Sequence, residues 1–289
     1  MKESAWGLDI SWLVNLFYHA SKGNDEPNST IRSFTFNLVK ILKKQKPTFL
    51  VAAVDSHLSF RKELDPTYKS SRTEKDDEYV EALIQIKELL DVLGIPQICV
   101  DKYEADDVLA TLAEEFKKLS IPFVAVISDK DYNQNLVFRK VGAFNKPKKQ
   151  DWRFWGQLDA EKKWGIKIEQ CVSYQSLVGD KIDDVRGCDS IGPKRASELL
   201  TKYNTIEGIY ENIKELSAST QKNLENFQPR LETVRKLVTL VRDCGNFGNV
   251  LENYQVETFR VDRPALRKVL ARNDILNLEK LLLETLNSD

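Results

Sequence analysis

The stretch PQICVDKYEADDVLATLAEEFKKLSIPFVAVISDKD, residues 96–131, reads in order as a strand, a helix and a second strand. "PQICV" (96–100) and "PFVAVIS" (122–128) are short apolar runs bounded by turn residues. Between them Ala105, Val108, Leu109, Leu112, Ala113 and Phe116 recur at helical spacing, predicting a helix over 105–119. A strand–helix–strand unit of this kind places its two strands parallel in one sheet. Glu104, Asp106 and Asp107 stand where the helix begins. One reading of them is local: acids favour the positive end of a helix dipole by about 0.3–1 kcal/mol each, and Lys117 and Lys118 occupy the other end as the same rule expects. The competing reading depends on where the other acids fall.

Working outward, further strands are expected at "AWGLDI" (5–10), "TFLVAAVD" (48–55) and "VFRKVGAF" (137–144), with helices near 11–20, 31–45 and 77–93. The connections include "KGNDEPNST" (22–30) and the long, polar, basic "SHLSFRKELDPTYKSSRTEKDD" (56–77). A loop of that length in a compact domain tends to be functional or disordered. After about residue 160 no convincing strand remains, and helical periodicity marks 193–203, 205–213, 229–243 and 264–286. The expectation is an α/β fold, with a mostly parallel central sheet flanked by helices over 1–165 and a helical part over 166–289.

Composition narrows the chemistry. With 289 residues, 42% hydrophobic and 30% charged, the chain suits a globular protein with a real core. No apolar run approaches the roughly 18 residues that span a bilayer, and a strand beginning by Trp6 leaves no room for a presequence. Cys99, Cys171, Cys188 and Cys244 form no C-x-x-C pair. Cys99 and Cys171 lie in apolar sequence surroundings, so reduced thiols of a cytoplasmic protein are expected. His19 and His57 are the only histidines, too few for a His-ligated zinc site and a poor basis for a Ser-His-Asp triad. A bound metal would then need oxygen ligands, as a hard cation such as Mg²⁺ or Mn²⁺ does.

Three of the expected strands end on aspartate: Asp9, Asp55 and Asp129, with Asp131 two residues later. In a parallel sheet the carboxyl ends of the strands share one edge, where open α/β folds bind ligands, and the helix opening at Glu104 emerges at that edge as well. Two carboxylates about 4 Å apart repel by about 4 kcal/mol at an effective dielectric of about 20, so a nest of them stays ionised only beside cations. Paired divalent ions are the solution found in nucleases and phosphatases. Any single aspartate at a strand end is more commonly a turn former or cap, and Asp101 is read that way. Capping does not explain Asp9, Asp55, Glu104, Asp106, Asp107, Asp129 and Asp131 falling on one edge.

A second signature is "LVGDKIDDVRGCDSIGPKRASELL" (177–200). Asp180, Asp183 and Asp184 are spaced to add ligands to a second cation. "SIGPKRA" sets Gly192 before a helix with Pro193 in its first turn and Lys194 and Arg195 beside it, a start whose backbone amides can receive a phosphate oxygen. The Gly-Pro start is weak evidence alone and stronger next to the acidic run.

In order along the chain, "GLDIS", "AAVD", "YKSSR", "YEADDVLATLA", "ISDKDYNQ", "LVGDKIDDVRG" and "SIGPKRASELL" resemble the 5′-nuclease family. That family includes the 5′-3′ exonuclease domain of bacterial DNA polymerase I and the flap endonucleases. The match runs over roughly 5–215, and no polymerase portion follows, so a stand-alone member is expected. The resemblance implies a PIN-like nuclease core with a basic arch over about 56–90, and a helix-hairpin-helix in the helical part. It implies a structure-specific 5′ nuclease of replication and repair that hydrolyses branched or 5′-flap DNA by a two-metal-ion mechanism. Asp9, Asp55, Glu104 and Asp106 would surround one Mg²⁺ or Mn²⁺, and Asp129, Asp131, Asp180 and Asp183 the other, with Asp107 supporting. Lys69 and Arg72 would reach the scissile phosphate; without the family match, a solvated basic loop is an equally good reading of them. Ser190, Gly192, Lys194 and Arg195 would grip the duplex backbone, with a K⁺ held by carbonyls at the hairpin. Ile10 replaces a usual glycine, Leu16 a common arginine, Asp184 an asparagine and Ser190 a glycine. None of these removes an expected ligand, and they bear on substrate positioning and rate.

Net charge of −1 conceals basic clusters at 40–46, 60–75, 145–153 and 192–196. The second and fourth are expected to meet DNA phosphates, making affinity fall with salt. Trp152, Phe154 and Trp155 adjoin the third, where packing on the sheet is favoured over stacking on unpaired bases. With the resemblance, the expected partner is branched or 5′-flap DNA and not a membrane, and the chain is expected to act as a monomer, nucleoid-associated if bacterial. Two rivals stand beside this reading. A non-catalytic branched-DNA-binding module would gain stability by losing an unused acidic nest. A phosphatase with an aspartyl nucleophile needs D-x-D at the first strand, where Asp9 is followed by Ile10 and Ser11.

Overall fold

The computed structural model describes residues 3–22, 28–136, 141–145 and 151–286. The first residues of the expected strand 137–144, most of the connection 22–30 and the middle of the basic cluster 145–153 lie outside them. The central sheet has the order β3-β2-β1-β4-β5-β6, formed by β1 (Ala5–Asp9), β2 (Phe49–Ala53), β3 (Gln97–Ile98), β4 (Phe123–Val126), β5 (Val141–Asn145) and β6 (Arg153–Trp155). The first five strands are parallel and β6 runs antiparallel to β5. β1 and β2 are buried along their whole length, which is why they read as continuous apolar runs without alternation. β6 was not anticipated, because three residues flanked by basic sequence carry too little periodicity to announce a strand.

Helices α1 (Ile10–Ser21), α2 (Ser29–Gln45), α4 (Asp77–Val92) and α5 (Ala105–Lys118) cover the sheet, and the short α3 (Phe60–Leu64) lies in the long connection between β2 and α4. Alternate residues of each strand face two different cores. Trp6, Leu8, Leu50 and Ala52 pack with α1, α2 and α4, whereas Ala5, Phe49, Val51, Phe123 and Ala125 pack with α5. Gly7 lets α5 come close: a Cβ there would lie 2.4 Å from Leu109 Cδ2. The chain leaves β1 for β2 and β3 on one side and returns to β4 and β5 on the other, so the strand order reverses beside β1. Open α/β sheets form their ligand crevice at the carboxyl ends around such a reversal.

The helical part comprises α6 (Gln157–Trp164), α7 (Cys171–Val178), α8 (Pro193–Tyr203), α9 (Ile206–Glu211) and α10 (Ala218–Val238). It has its own core of Leu177, Val185, Ile191, Leu199, Leu200, Leu224 and Leu237. Tyr68, from the long loop, inserts into that core. The expected basic arch over 56–90 takes the form of α3, a run of turns across 66–71 and the start of α4. Two differences from the sequence reading concern this half. A small antiparallel pair, β7 (Gly179–Asp180) and β8 (Val185–Arg186), lies within the acidic run where no strand was expected. And α10 starts at Ala218, its cap Ser217 accepting from Thr220 N, and runs through Pro229, where the sequence suggested a beginning.

Within the expected helical part over 166–289, the last elements pack against the sheet half. From Leu240 the chain rejoins the α5 side of the sheet through Leu240, Cys244, Val250 and Tyr254, the last two from α11 (Val250–Asn253) and its C-cap. Helices α12 (Arg263–Arg272) and α13 (Glu279–Thr285) then pack against α4 and α2. They form two helices rather than one because Asn273 and Asp274, the latter at φ +53°, turn the backbone as these residue types readily do. All four cysteines are free, and Cys99 is exposed rather than apolar in its surroundings. Among the described residues no helix is long and apolar enough to cross a membrane.

Candidate active site

The carboxyl edge of the sheet gathers the expected acids. Asp9 ends β1 and caps α1, accepting from Trp12 N at 2.8 Å. Burial pushes its pKa well up, and Asp55 and Asp129 add to the push by like-charge repulsion. Asp55, after β2, accepts from Ala105 N at 2.7 Å and so ties that strand end to the start of α5.

The three acids at the start of α5 divide between two tasks. Glu104 turns toward the long loop, pairing with Lys69 Nζ at 2.7 Å and accepting from the Tyr68 hydroxyl at 3.1 Å. Asp106 has a buried Oδ1 with no hydrogen-bond partner, and burial, then Asp107 and Glu104, raise its pKa well above the ordinary carboxylate range. Asp107 is engaged differently from the other expected acids. Its two oxygens take both ends of the Arg61 guanidinium at 2.7 and 2.8 Å, with Val241 N at 2.8 Å and Glu104 N at 3.2 Å as further donors. With both oxygens each accepting two hydrogen bonds, Asp107 is engaged by the protein itself beneath the nest.

On the other side of the crevice, Asp131, Asp180 and Asp183 bring carboxylate oxygens within 4.8 Å of one another. Asp131 opens a 3-10 turn after β4, its N–H donating to Asp129 Oδ1 at 2.8 Å and its own Oδ1 accepting from Gln175. Asp180 belongs to β7, and Asp183 lies in the turn between β7 and β8. That hairpin folds tightly because Gly179 adopts φ +74°, where a Cβ would lie 2.4 Å from Gly187 N and Val185 O. Burial raises the Asp131 pKa well above normal, and Asp129, Asp180 and Asp183 raise it further. Asp129 is exposed as a residue, yet the walls around its carboxyl still raise its pKa, with Asp183 and Asp180 adding to the shift.

Cations enter this acidic crevice from the protein itself. Lys130 Nζ lies 2.8 Å from Asp180, Arg72 Nη2 2.5 Å from Asp183 Oδ1, and Lys69 Nζ 3.8 Å from Asp183 Oδ2. Lys69 N donates to Asp183 O at 2.9 Å and Ser71 N to Asp184 Oδ2 at 2.8 Å, so the "YKSSR" segment is docked onto the acidic hairpin. The Tyr68 hydroxyl lies within hydrogen-bonding distance of Glu104 and of Asp183, joining the two groups of acids. Tyr68, Arg61, Lys130 and Gln175 were not singled out from the sequence. Tyr68 stands in the quoted motif, whereas Arg61 is hidden in a basic run that reads as solvated surface. The donors facing the crevice are carboxylate oxygens, one of them buried without a partner, and this set fits hard divalent cations.

Next to the acids, an open hollow of about 470 Å³ is lined by Asp180, Lys181, Asp184, Ser190 and Gly192, among others. Ser190 takes φ +61° in the turn, a left-handed conformation that glycine adopts more readily than serine. Gly192 is the N-cap of α8, with nothing within 4 Å of where its Cβ would be, and Pro193 follows in the first turn. Lys194 is exposed, and Arg195 pairs with Glu198 at 3.3 Å. Ile10 is buried at the start of α1 and Leu16 packs on the same core, so neither offers a polar group to a ligand. The three aromatics beside the basic cluster part ways. Trp152 stacks on Phe144 and donates to Asn37, Trp155 donates to Asn133, and Phe154 is 55% exposed.

Comparison with known proteins agrees with this geometry. Residues 8–165 match the family model "5′-3′ exonuclease, N-terminal resolvase-like domain", and residues 166–262 match "5′-3′ exonuclease, C-terminal SAM fold". The chain is 32% identical over 267 residues to a 5′-3′ exonuclease of Aquifex aeolicus (strain VF5), covering 89% of this chain and 85% of that protein. It is 29% identical over 225 residues to DNA polymerase I of Caldicellulosiruptor bescii, covering 76% of this chain and 26% of the polymerase, so it spans about a quarter of that relative. In fold it resembles the bacteriophage T5 D15 flap endonuclease in a pseudo-enzyme-product complex with DNA and metal ions. The TM-score is 0.71 at 21% identity, over 99% of this chain and 100% of the other.

Proposed function

This chain belongs to the 5′-3′ exonuclease family, and we propose that it is a structure-specific 5′ nuclease of DNA replication and repair whose acidic crevice takes two divalent cations, Mg²⁺ or Mn²⁺. Asp9, Asp55, Glu104 and Asp106 would hold one, and Asp129, Asp131, Asp180 and Asp183 the other, with Asp107 as the support beneath. The observation that carries the proposal is the meeting of acids from β1, β2, β4, α5 and the β7–β8 hairpin in one crevice, with Asp106 Oδ1 buried and partnerless. Cations bound there supply charge stabilisation for the attacking and leaving oxygens of an in-line displacement at phosphorus.

The chain's own residues do the remaining work. Lys69 and Arg72 line the crevice and would orient the scissile phosphate through charge-assisted hydrogen bonds. Tyr68 stays protonated, because burial and the adjoining Glu104 and Asp183 drive its pKa far upward, and its hydroxyl holds those acids in place. Ser190, Gly192, Lys194 and Arg195 would grip the backbone of the duplex, which sets the junction of a 5′-flap or branched DNA over the crevice. A K⁺ at the α8 hairpin and action as a monomer in the cytoplasm complete the proposal.

The test is cleavage of 5′-labelled flap DNA and nicked duplex in Mg²⁺ and in EDTA, by the wild type and by Asp129→Ala. Cleavage confined to Mg²⁺ and abolished in a normally folded Asp129→Ala protein is expected. Normal cutting by that variant would refute the site assignment. Wild-type protein that binds the flap and never cuts it would favour a binding module instead.

A further inference from the structure

Arg61 is the largest of the fully buried side chains among the described residues, and its hydrogen bonds reach two distant parts of the chain. Nη1 and Nη2 fork onto Asp107 near the start of α5, while Nε donates to Leu237 O at 2.9 Å and Nη2 to Thr239 O at 3.1 Å at the end of α10. Nη1 also faces Glu104 Oε2 at 3.6 Å. Asp107 completes the link by accepting from Val241 N, on the segment that carries the chain back from the helical part. The guanidinium lies over the Phe60 ring at 4.7 Å, which fixes its plane.

Folding alone does not call for this arrangement. Well-packed apolar residues in place of a buried ion pair are often as stabilising or more so. What an apolar pair lacks is a charge fixed behind Glu104 and Asp106, together with a fork that holds α5 and α10 in one geometry. Lysine cannot reproduce it, since a single ammonium does not fork onto one carboxylate while also reaching two carbonyls.

Resting on the nuclease reading above, we propose that Arg61 is a positioning residue for cleavage. It fixes, through Asp107, the acids at the start of α5 against the end of α10, so that the helical half, which carries Asp180 and Asp183 and is expected to grip the duplex, and the sheet half, which carries the other acids, keep one register. Arg61 itself touches neither phosphate nor cation.

The experiment compares wild type, Arg61→Lys and the double variant Arg61→Met/Asp107→Leu in three measurements: melting in EDTA, Mn²⁺ binding by calorimetry, and kcat and KM on flap DNA. Changes one step removed from a metal ligand cost about 10–100-fold in metal affinity or activity. Arg61→Lys is therefore expected to lose about 10–100-fold in kcat and about tenfold in Mn²⁺ affinity, with KM for the flap changed less than about threefold. The apolar pair is expected to fold and melt cooperatively, carrying no unpaired buried charge, while kcat and Mn²⁺ affinity stay low. Recovery of kcat and Mn²⁺ affinity along with stability would overturn the proposal by reducing Arg61 to a packing element, and so would Arg61→Lys cutting at the wild-type rate. Should Arg61→Lys fail to fold, the apolar pair decides. A wild type that does not cut at all refutes the nuclease reading and is distinguishable from either outcome.

Discussion

Replacing Asp131 with asparagine separates the site's function from its cost to the fold. Asparagine keeps the shape of the side chain and a carbonyl oxygen able to accept from Gln175, and it removes only the charge. In the native crevice that charge lies within 4.8 Å of carboxylate oxygens of both Asp180 and Asp183. At this separation each like-charged pair costs about 3.5 kcal/mol at an effective dielectric of about 20. Lys130 on Asp180 and Arg72 on Asp183 offset part of the repulsion, while burial and the neighbouring Asp129, Asp180 and Asp183 hold the Asp131 pKa well above the ordinary carboxylate range. A net gain of about 1–3 kcal/mol is expected for Asp131→Asn in EDTA at mildly alkaline pH, or about 2–8 °C in melting temperature for a chain of this size.

Adding millimolar Mg²⁺ should reverse the order. The wild type gains stability in proportion to the logarithm of cation concentration over its dissociation constant, and the variant, short of one ligand, gains less. Cleavage should fall by about 100-fold or more, as when roughly 3 kcal/mol of transition-state stabilisation is lost. Parallel melts in EDTA and Mg²⁺ with a flap-cleavage assay give the answer. A variant that melts lower than wild type in EDTA, or that keeps the full Mg²⁺-induced rise, would show that the three carboxylates neither repel nor share a cation.

Two further outcomes follow from the same geometry. Asp9, Asp106 and Asp131 have folded-state pKa values raised above their unfolded ones, so the folded state holds their protons more tightly. Their contribution to stability is full below the ordinary carboxylate pKa of about 4 and is lost as pH rises through the raised values. In EDTA the unfolding free energy should therefore decline from mildly acid to alkaline pH, and Mg²⁺ should flatten the decline; a rise with pH in EDTA would contradict the assignment. At lower pH the slope turns, because Lys69 and Arg61 lower the Glu104 pKa in spite of burial and that contribution disappears on acidification. At the hairpin, Lys194→Ala and Arg195→Ala should each raise KM more than they lower kcat and reduce the magnitude of the slope of log affinity against log salt by about one, read from flap binding over a salt series.

The central strands were legible because β1, β2 and β4 are covered on both sides and so carry nearly unbroken apolar sequence. The gathering of the proposed ligand acids at one edge was legible for a related reason. A parallel sheet brings strand ends together whatever lies between them, so the position of an aspartate relative to its strand already gives its place in the fold. Asp107 shows where that logic stops, since it lies one residue from Asp106 on the same helix turn and faces Arg61 instead of the crevice. Only the position of residue 61 in space distinguishes the two acids. The return of α12 and α13 to the sheet was hidden likewise, because their apolar stripes fit the helical half and the α/β core equally well.

The cations among the acids are not equivalent, and their exposure sorts them. Arg61 is 2% exposed with its donors committed to Asp107 and two carbonyls, so it cannot exchange partners without unfolding its surroundings. Arg72 keeps 49% of its side chain in solvent and Lys130 38%, and each bonds a carboxylate at the rim of the crevice. Lys69 lies between these extremes, 18% exposed and shared between Glu104 and Asp183. The carboxylate oxygens that Lys69 and Arg72 hold are among those that would serve a divalent cation, and with a cation bound there donors on Lys69 and Arg72 would be freed. A phosphate is the group such freed donors bind best. The two side chains expected to hold the scissile phosphate are thus the ones whose present bonds the metals would loosen.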